Sequence, residues 1–211
     1  MSDVVVMDKE VITLFPTLLF KGKVNDMEFV NSLERKARTL KTLGKGHFEN
    51  KNFVSADNLQ ETEDFKPLAD LVHQEATQIL DYYGVVRDSH YVSNMWCNIT
   101  NPNHRHPVHI HPNCFLSGII YLTAPEKAGM TAFTDPRPGA RVFEPSYKFM
   151  NASNSGLFRH EPNKGVMLFW PSWLPHGVDV GFNEKKEDRI VVAFNIMLKG
   201  KISTPTAQLV L

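Results

Sequence analysis

Beyond residue 88 the sequence breaks into short apolar runs separated by turn residues, and this texture limits the fold more than any other feature of the chain. The runs are Tyr91–Thr100, Phe115–Thr123, Met130–Thr134, Gly165–Trp170, Gly177–Val180 and Arg189–Leu198. Asn101-Pro102, Ala124-Pro125, Asp135-Pro-Arg-Pro-Gly139 and Glu161-Pro-Asn163 punctuate them. Runs this short, with Gly and Pro between them, read as strands rather than buried helices. Many short strands with such turns predict a β-sandwich or jelly roll. The stretch 137–164 reads as a long irregular loop, the kind used as a lid or binding loop.

The first 88 residues differ. Val11–Phe20 is apolar and β-leaning but interrupted by Pro16, so it reads as an edge or bulged strand. Asn25-Asp-Met-Glu28 offers a capping box, and Met27, Val30, Leu33, Ala37 and Leu40 follow at helical spacing up to Gly44. A second helix is expected over Phe65–Tyr83, with Pro67 near its start and Gly84 after its end. Residues 45–62 read as polar and irregular. The expected architecture is one domain over 1–211: residues 1–88 supply a strand and helical support, and 89–200 form a double-stranded β-helix, making the class mainly β with N-terminal helices.

Lys and Arg together number 23, as do Asp and Glu, so the formal net charge is zero. That argues against a broad nucleic-acid footprint. No apolar run approaches the ~18 residues of a membrane span. No basic segment followed by an apolar one opens the chain. Cys97 and Cys114 alone do not make a disulfide framework. A cytoplasmic location, in a bacterium or a phage-infected host, is the expectation. A homodimer is left open.

The histidines are concentrated. Four of nine, His104, His106, His109 and His111, fall within eight positions. On a strand, residues i and i+2 point to the same side, so His109 and His111 aim two imidazoles at one point while Ile110 faces away. A third ligand must come from elsewhere, and His176, at the end of the run from Gly165, is the candidate. Three protein ligands leave coordination positions open, the arrangement of non-haem Fe(II) oxygenases. The alternative is a surface metal scavenger or a hydrogen-bonded histidine cluster. His104 and His106 read as loop or supporting residues.

The motifs Met95-Trp-Cys-Asn98, His109-Ile-His-Pro112, Leu116–Leu122, Phe133–Arg137, Gly165–Trp173, His176-Gly-Val178 and Arg189–Asn195 follow in order. In order and spacing, the chain resembles the 2-oxoglutarate/Fe(II)-dependent oxygenase superfamily, and within it a group of bacterial and phage proteins of prolyl-hydroxylase-like type. The resemblance covers nearly the whole chain. It implies that His109 and His176 bind iron, and that Arg189, 13 residues beyond His176, pairs with the distal carboxylate of 2-oxoglutarate. A planar guanidinium suits that role through two parallel charge-assisted hydrogen bonds. Tyr121 stands where prolyl-hydroxylase-like members have a tyrosine touching the cosubstrate, although a plain core aromatic fits the position equally. Asn98 and Asn195 are expected to face inward, toward substrate or cosubstrate, or to make structural hydrogen bonds. Trp96, Phe169, Trp170 and Trp173 are candidates to line the pocket.

One departure stands out. The superfamily pattern is His-x-Asp, and here the second position is His111. Either His111 replaces the carboxylate, or Asp135 or Asp179 supplies one, or only two histidines bind. The first is favoured, because His111 sits where the carboxylate would be. The implied activity is Fe(II)- and 2-oxoglutarate-dependent hydroxylation with O2, on a small-molecule or peptidyl substrate. The rivals are a three-histidine, cupin-like dioxygenase without oxo acid, and a non-enzymatic jelly-roll module with a structural metal.

Overall fold

The computed structural model describes residues 10–49, 51–101, 105–137, 139, 142–181 and 187–211. Its frame is two facing antiparallel sheets. The larger has the order β1(Phe20–Lys23), β9(Val166–Pro171), β6(Leu116–Tyr121), β11(Arg189–Lys199), β4(Ser89–Thr100), β3(Asn52–Ser55) and β2(Gly46–Glu49). The smaller has the order β5(His106–His109), β10(His176–Val178), β7(Thr131–Thr134) and β8(Leu157–His160). A short hairpin, β12(Lys201–Ile202) with β13(Leu209–Val210), follows. This is the expected jelly roll. No helix among the described residues is long and apolar enough to cross a membrane.

Two helices back the large sheet. α1(Met27–Thr42) is capped by Asp26, not Asn25: its Oδ1 accepts the Phe29 N–H at 2.9 Å. Val30, Leu33 and Ala37 form its buried stripe. α2(Lys66–Tyr82) buries Leu68, Val72, Ala76, Ile79 and Leu80, and Gly84 supplies the positive φ that ends the turn.

The period-2 alternation of the strands sorts their side chains onto two cores. On β11, Ile190, Val192, Phe194 and Ile196 pack toward the helices with Met95, Cys97 and Ile99 of β4. Val191 and Ala193 turn the other way, into a second core with Ile119, Phe133 and Trp170. Because both faces are covered, β11 reads as a continuous apolar run. Arg189 and Asn195 share the inward phase of β11, six residues apart, so roughly 20 Å of strand separates them. Gly118 on β6 is required by packing: a Cβ there would fall 2.5 Å from the Leu168 carbonyl oxygen and 2.3 Å from Cε2 of the Phe194 ring.

Three expectations change. Val11–Leu19 is not a strand; only Phe20 onward pairs, with Phe169. Pro16 lacks the N–H a ladder needs. Residues 45–62 are not irregular: they form the β2–β3 hairpin and a 3-10 turn at Leu59–Glu61, and Lys51 takes the positive φ of the hairpin turn. The stretch 137–164 contains β8, which pairs with β7.

Candidate metal centre

His109 is the last residue of β5, and His176 the first of β10; the two are register partners. His111 lies two residues past the end of β5. Its place is held by its own N–H, which donates to the Ser172 carbonyl at 3.0 Å. Ile110 between them faces solvent, so the expected i/i+2 projection is present although the strand ends at His109.

One ring nitrogen from each of His109, His111 and His176 lies within 4.8 Å of the other two. His109 Nε2 and His111 Nε2 are 3.0 Å apart. Each Nδ1 meets an oxygen outside the cluster. His109 Nδ1 meets the Pro107 carbonyl at 2.9 Å, His176 Nδ1 the Leu174 carbonyl at 2.8 Å, and His111 Nδ1 the Asn195 Oδ1 at 2.7 Å. A carbonyl oxygen only accepts, so each Nδ1 carries the proton and each Nε2 presents a lone pair inward. Ligating histidines are oriented in this way. Burial lowers the pKa of His111 and pushes that of His176 down to about 3. Both are therefore neutral donors at physiological pH.

No carboxylate among the described residues joins the cluster. Asp135 is bound to Arg137 at 2.8 Å, and Asp179 is bound to Arg159. Both are thereby set aside as the missing acid. His106 packs edge-on to His109, 4.7 Å between centroids, but is not one of the three converging donors. His104 lies outside the described residues.

The cluster opens on a cavity between the two sheets, with a volume of about 80 Å³. Arg189 lines it and is only 4% exposed. Its Nη2 donates to Thr131 Oγ1 at 2.9 Å, and its Cζ stands 5.3 Å from the Tyr121 ring centroid. Its Nε has no partner, and among the described residues no carboxylate pairs with it. A buried guanidinium without a counter-ion is costly, and it fits a site made for an anion.

Asn98, Trp96 and Trp170 line the cavity as expected. Tyr121 and Asn195 stand behind the wall. Tyr121 Oη lies 2.6 Å from Thr131 Oγ1, and Asn195 Oδ1 accepts from both His111 and Ser117 Oγ. Phe169 turns to the helix-side core, and Trp173 is 53% exposed. Sequence reasoning missed Thr131, the Ser117–Ser172 hydroxyl pair that supports Asn195, and the hairpin wall supplied by Glu49, Asn52 and Val54. Gly129-Met-Thr-Ala-Phe133 resembles a Gly-x-Thr-x-Phe strand of the same superfamily, but that resemblance gave Thr131 no role; the hairpin gave no clue.

Residues 94–195 match the family described as "Putative 2OG-Fe(II) oxygenase", a span that contains all three histidines and Arg189. No curated protein matched the chain. Among solved structures, the Pseudomonas putida prolyl-4-hydroxylase aligns with TM-score 0.65 at 12% identity, covering 87% of this chain and 94% of that one. HygX from Streptomyces hygroscopicus, crystallised with nickel and 2-oxoglutarate, aligns with TM-score 0.61 at 14% identity, covering 86% and 82%. The viral collagen prolyl hydroxylase of Paramecium Bursaria Chlorella virus-1 aligns with TM-score 0.56 at 15% identity, covering 86% and 96%. At such identities these likenesses speak for the fold. The family match brings a class to the segment 94–195, that of the 2OG-Fe(II) oxygenases, which are oxidoreductases of the non-haem iron type. The candidate metal centre and Arg189 thus lie wholly within the segment that matches the 2OG-Fe(II) oxygenase family.

Proposed function

We propose that the chain is a hydroxylase whose Fe(II) is held by Nε2 of His109, His111 and His176, and whose 2-oxoglutarate is anchored by Arg189. The observation that carries this reading is the set of three inward Nε2 lone pairs, each fixed by a tethered Nδ1, beside a buried guanidinium with no counter-ion. Bound together, iron and 2-oxoglutarate supply O2 activation. The reaction balances: one oxygen atom of O2 enters a substrate C–H bond, the other enters succinate, and CO2 leaves.

The chain's own part is to bind, orient and exclude water. Arg189 meets a carboxylate through its planar fork. Thr131 and the Tyr121 ring hold the guanidinium in place. Trp170, Ile119 and Val191 keep the cosubstrate side of the cavity apolar, which strengthens that charge pairing. With His111 in place of a carboxylate, the metal keeps its full double positive charge, which favours an anionic cosubstrate. The inward Arg189 is what favours this reading over an oxo-acid-independent dioxygenase. A structural zinc site would be closed by four ligands, and the described residues bring three.

Anaerobic Fe(II) titration with and without 2-oxoglutarate tests the proposal. The chelate gives a visible charge-transfer band that needs both components. Absence of the band at saturating metal and oxo acid would overturn it.

A further inference from the structure

Along the large sheet from Arg189, past Thr100, the cavity lining changes in chemistry. Here β2 and β3 carry the large sheet past β4, and their hairpin adds Glu49 and Asn52 to the lining that Asn98 and Trp96 of β4 share. Arg105, at the entry to β5, completes this side. Glu49 and Arg105 are both exposed and line the same mouth, yet no ion pair joins them, and neither has another charged partner among the described residues. Elsewhere on the surface opposite charges do pair, as in Arg35 with Glu28 and Lys164 with Glu34. Glu49 is near enough for its charge to act on the His106 ring, which packs against His109. One carboxylate and one guanidinium thus stand apart at the entrance, one step from the metal ligands.

This wall suits a ligand that carries both charges at once. A peptide backbone offers neutral amides, which match the charge of neither Glu49 nor Arg105. An apolar metabolite does worse. A zwitterion answers both: its ammonium donates to a carboxylate, its carboxylate accepts from a guanidinium fork, and the Asn98 amide and the Trp96 face remain for its side chain. We infer that the substrate is a free α-amino acid, with its ammonium on Glu49 and its carboxylate on Arg105. The inference rests on the proposed oxygenase reading of the same cavity.

The test uses the full chain with Fe(II) and 2-oxoglutarate, and the twenty free L-amino acids alongside their N-acetyl and methyl-ester forms. Succinate formation and the thermal shift of the anaerobic complex are both read. At least one free amino acid should raise succinate formation about tenfold over the uncoupled rate and raise the melting temperature, and N-acetylation or esterification should abolish both effects. Glu49→Gln should weaken that amino acid at least tenfold while leaving the 2-oxoglutarate band unchanged, and Arg105→Gln should do the same. If none of the twenty acts, or if blocked forms act equally well, the inference is overturned while an intact chelate band leaves the oxygenase reading standing. Loss of the band in the unmodified protein would instead overturn the oxygenase reading.

Discussion

His111 Nδ1 lies 2.7 Å from Asn195 Oδ1, and this one bond joins the proposed third ligand to the central strand of the large sheet. The same oxygen accepts from Ser117 Oγ, which lies 2.8 Å from Ser172 Oγ, and the Ser172 carbonyl holds the His111 backbone N–H. His111 lies beyond the end of β5, so strand pairing does not fix it. The hydroxyl–amide chain does.

Asn195→Ala should therefore weaken Fe(II) binding about 10–100-fold, the usual cost of losing such an orienting partner. Asn195→Asp keeps an oxygen acceptor on His111 and should retain most of the affinity. Anaerobic metal titration of both variants checks this. Equal affinity in Asn195→Ala and the parent would remove the positioning role assigned to Asn195.

Arg189 makes a second prediction, in which stability and binding move in opposite directions. A buried guanidinium without a counter-ion destabilises the empty fold, and its Nε is left without a partner. Arg189→Met retains the stem and removes the charge. It should melt no lower than the parent without 2-oxoglutarate, and should lose the stabilisation that 2-oxoglutarate gives. Hydrogen bonds to charged groups contribute about 1.5–3 kcal/mol each, so cosubstrate affinity should fall by about 100-fold or more. A variant that melts well below the parent yet still binds the oxo acid would assign Arg189 to the core instead.

A third prediction lies away from the site. His90 of β4 is buried and stacks on His73 of α2, with 4.1 Å between centroids and 9° between planes. Its Nε2 is 3.1 Å from the His73 carbonyl. Burial is the largest cause lowering its pKa; the carbonyl contact and Asp81 oppose it, and His73 and Arg87 add to it. A histidine whose folded pKa is depressed contributes full stability above the unfolded value of about 6.5 and loses it as pH falls below that. Thermal melts from pH 8 to pH 5.5 should show a shallower acid-side fall for His90→Phe than for the parent. Parallel curves would mean that His90 is protonated without cost.

The jelly roll was legible because strand periodicity is local: six apolar runs between turns are visible in any window of the chain. The His109 and His111 projection was legible for the same reason. The partner of His111 was not, because Asn195 is 84 residues away and meets it only through sheet order. The β2–β3 hairpin was also hidden. Its strands are four residues each, β2 is exposed throughout, and nothing in Gly46–Glu49 alternates. It is a strand because β3 pairs with β4, a tertiary override of weak local preference. Asp135 and Asp179 looked available in the sequence for the opposite reason: the arginines that hold them become neighbours through a tight turn and a sheet contact.

The last prediction concerns the spacing between β5 and β10, which sets the distance from His109 to His176. Gly177 follows His176 on β10, and a Cβ there would fall 2.8 Å from the His106 carbonyl oxygen and 3.1 Å from that of Pro107. Both obstacles are β5 backbone, so relief requires β5 to move outward and carry His109 with it. Gly177→Ala should cost about 1–3 kcal/mol of overpacking strain, and a chain of this size loses about 2–4 °C of melting temperature per kcal/mol. Productive sites tolerate errors of only about 0.5 Å, so Fe(II) affinity should also fall, by about tenfold. Gly22→Ala on the edge strand β1 meets nothing within 4 Å and serves as the control, with both quantities unchanged. A Gly177→Ala protein that melts lower but binds Fe(II) as tightly as the parent would mean that the three imidazoles reach the metal independently of strand spacing.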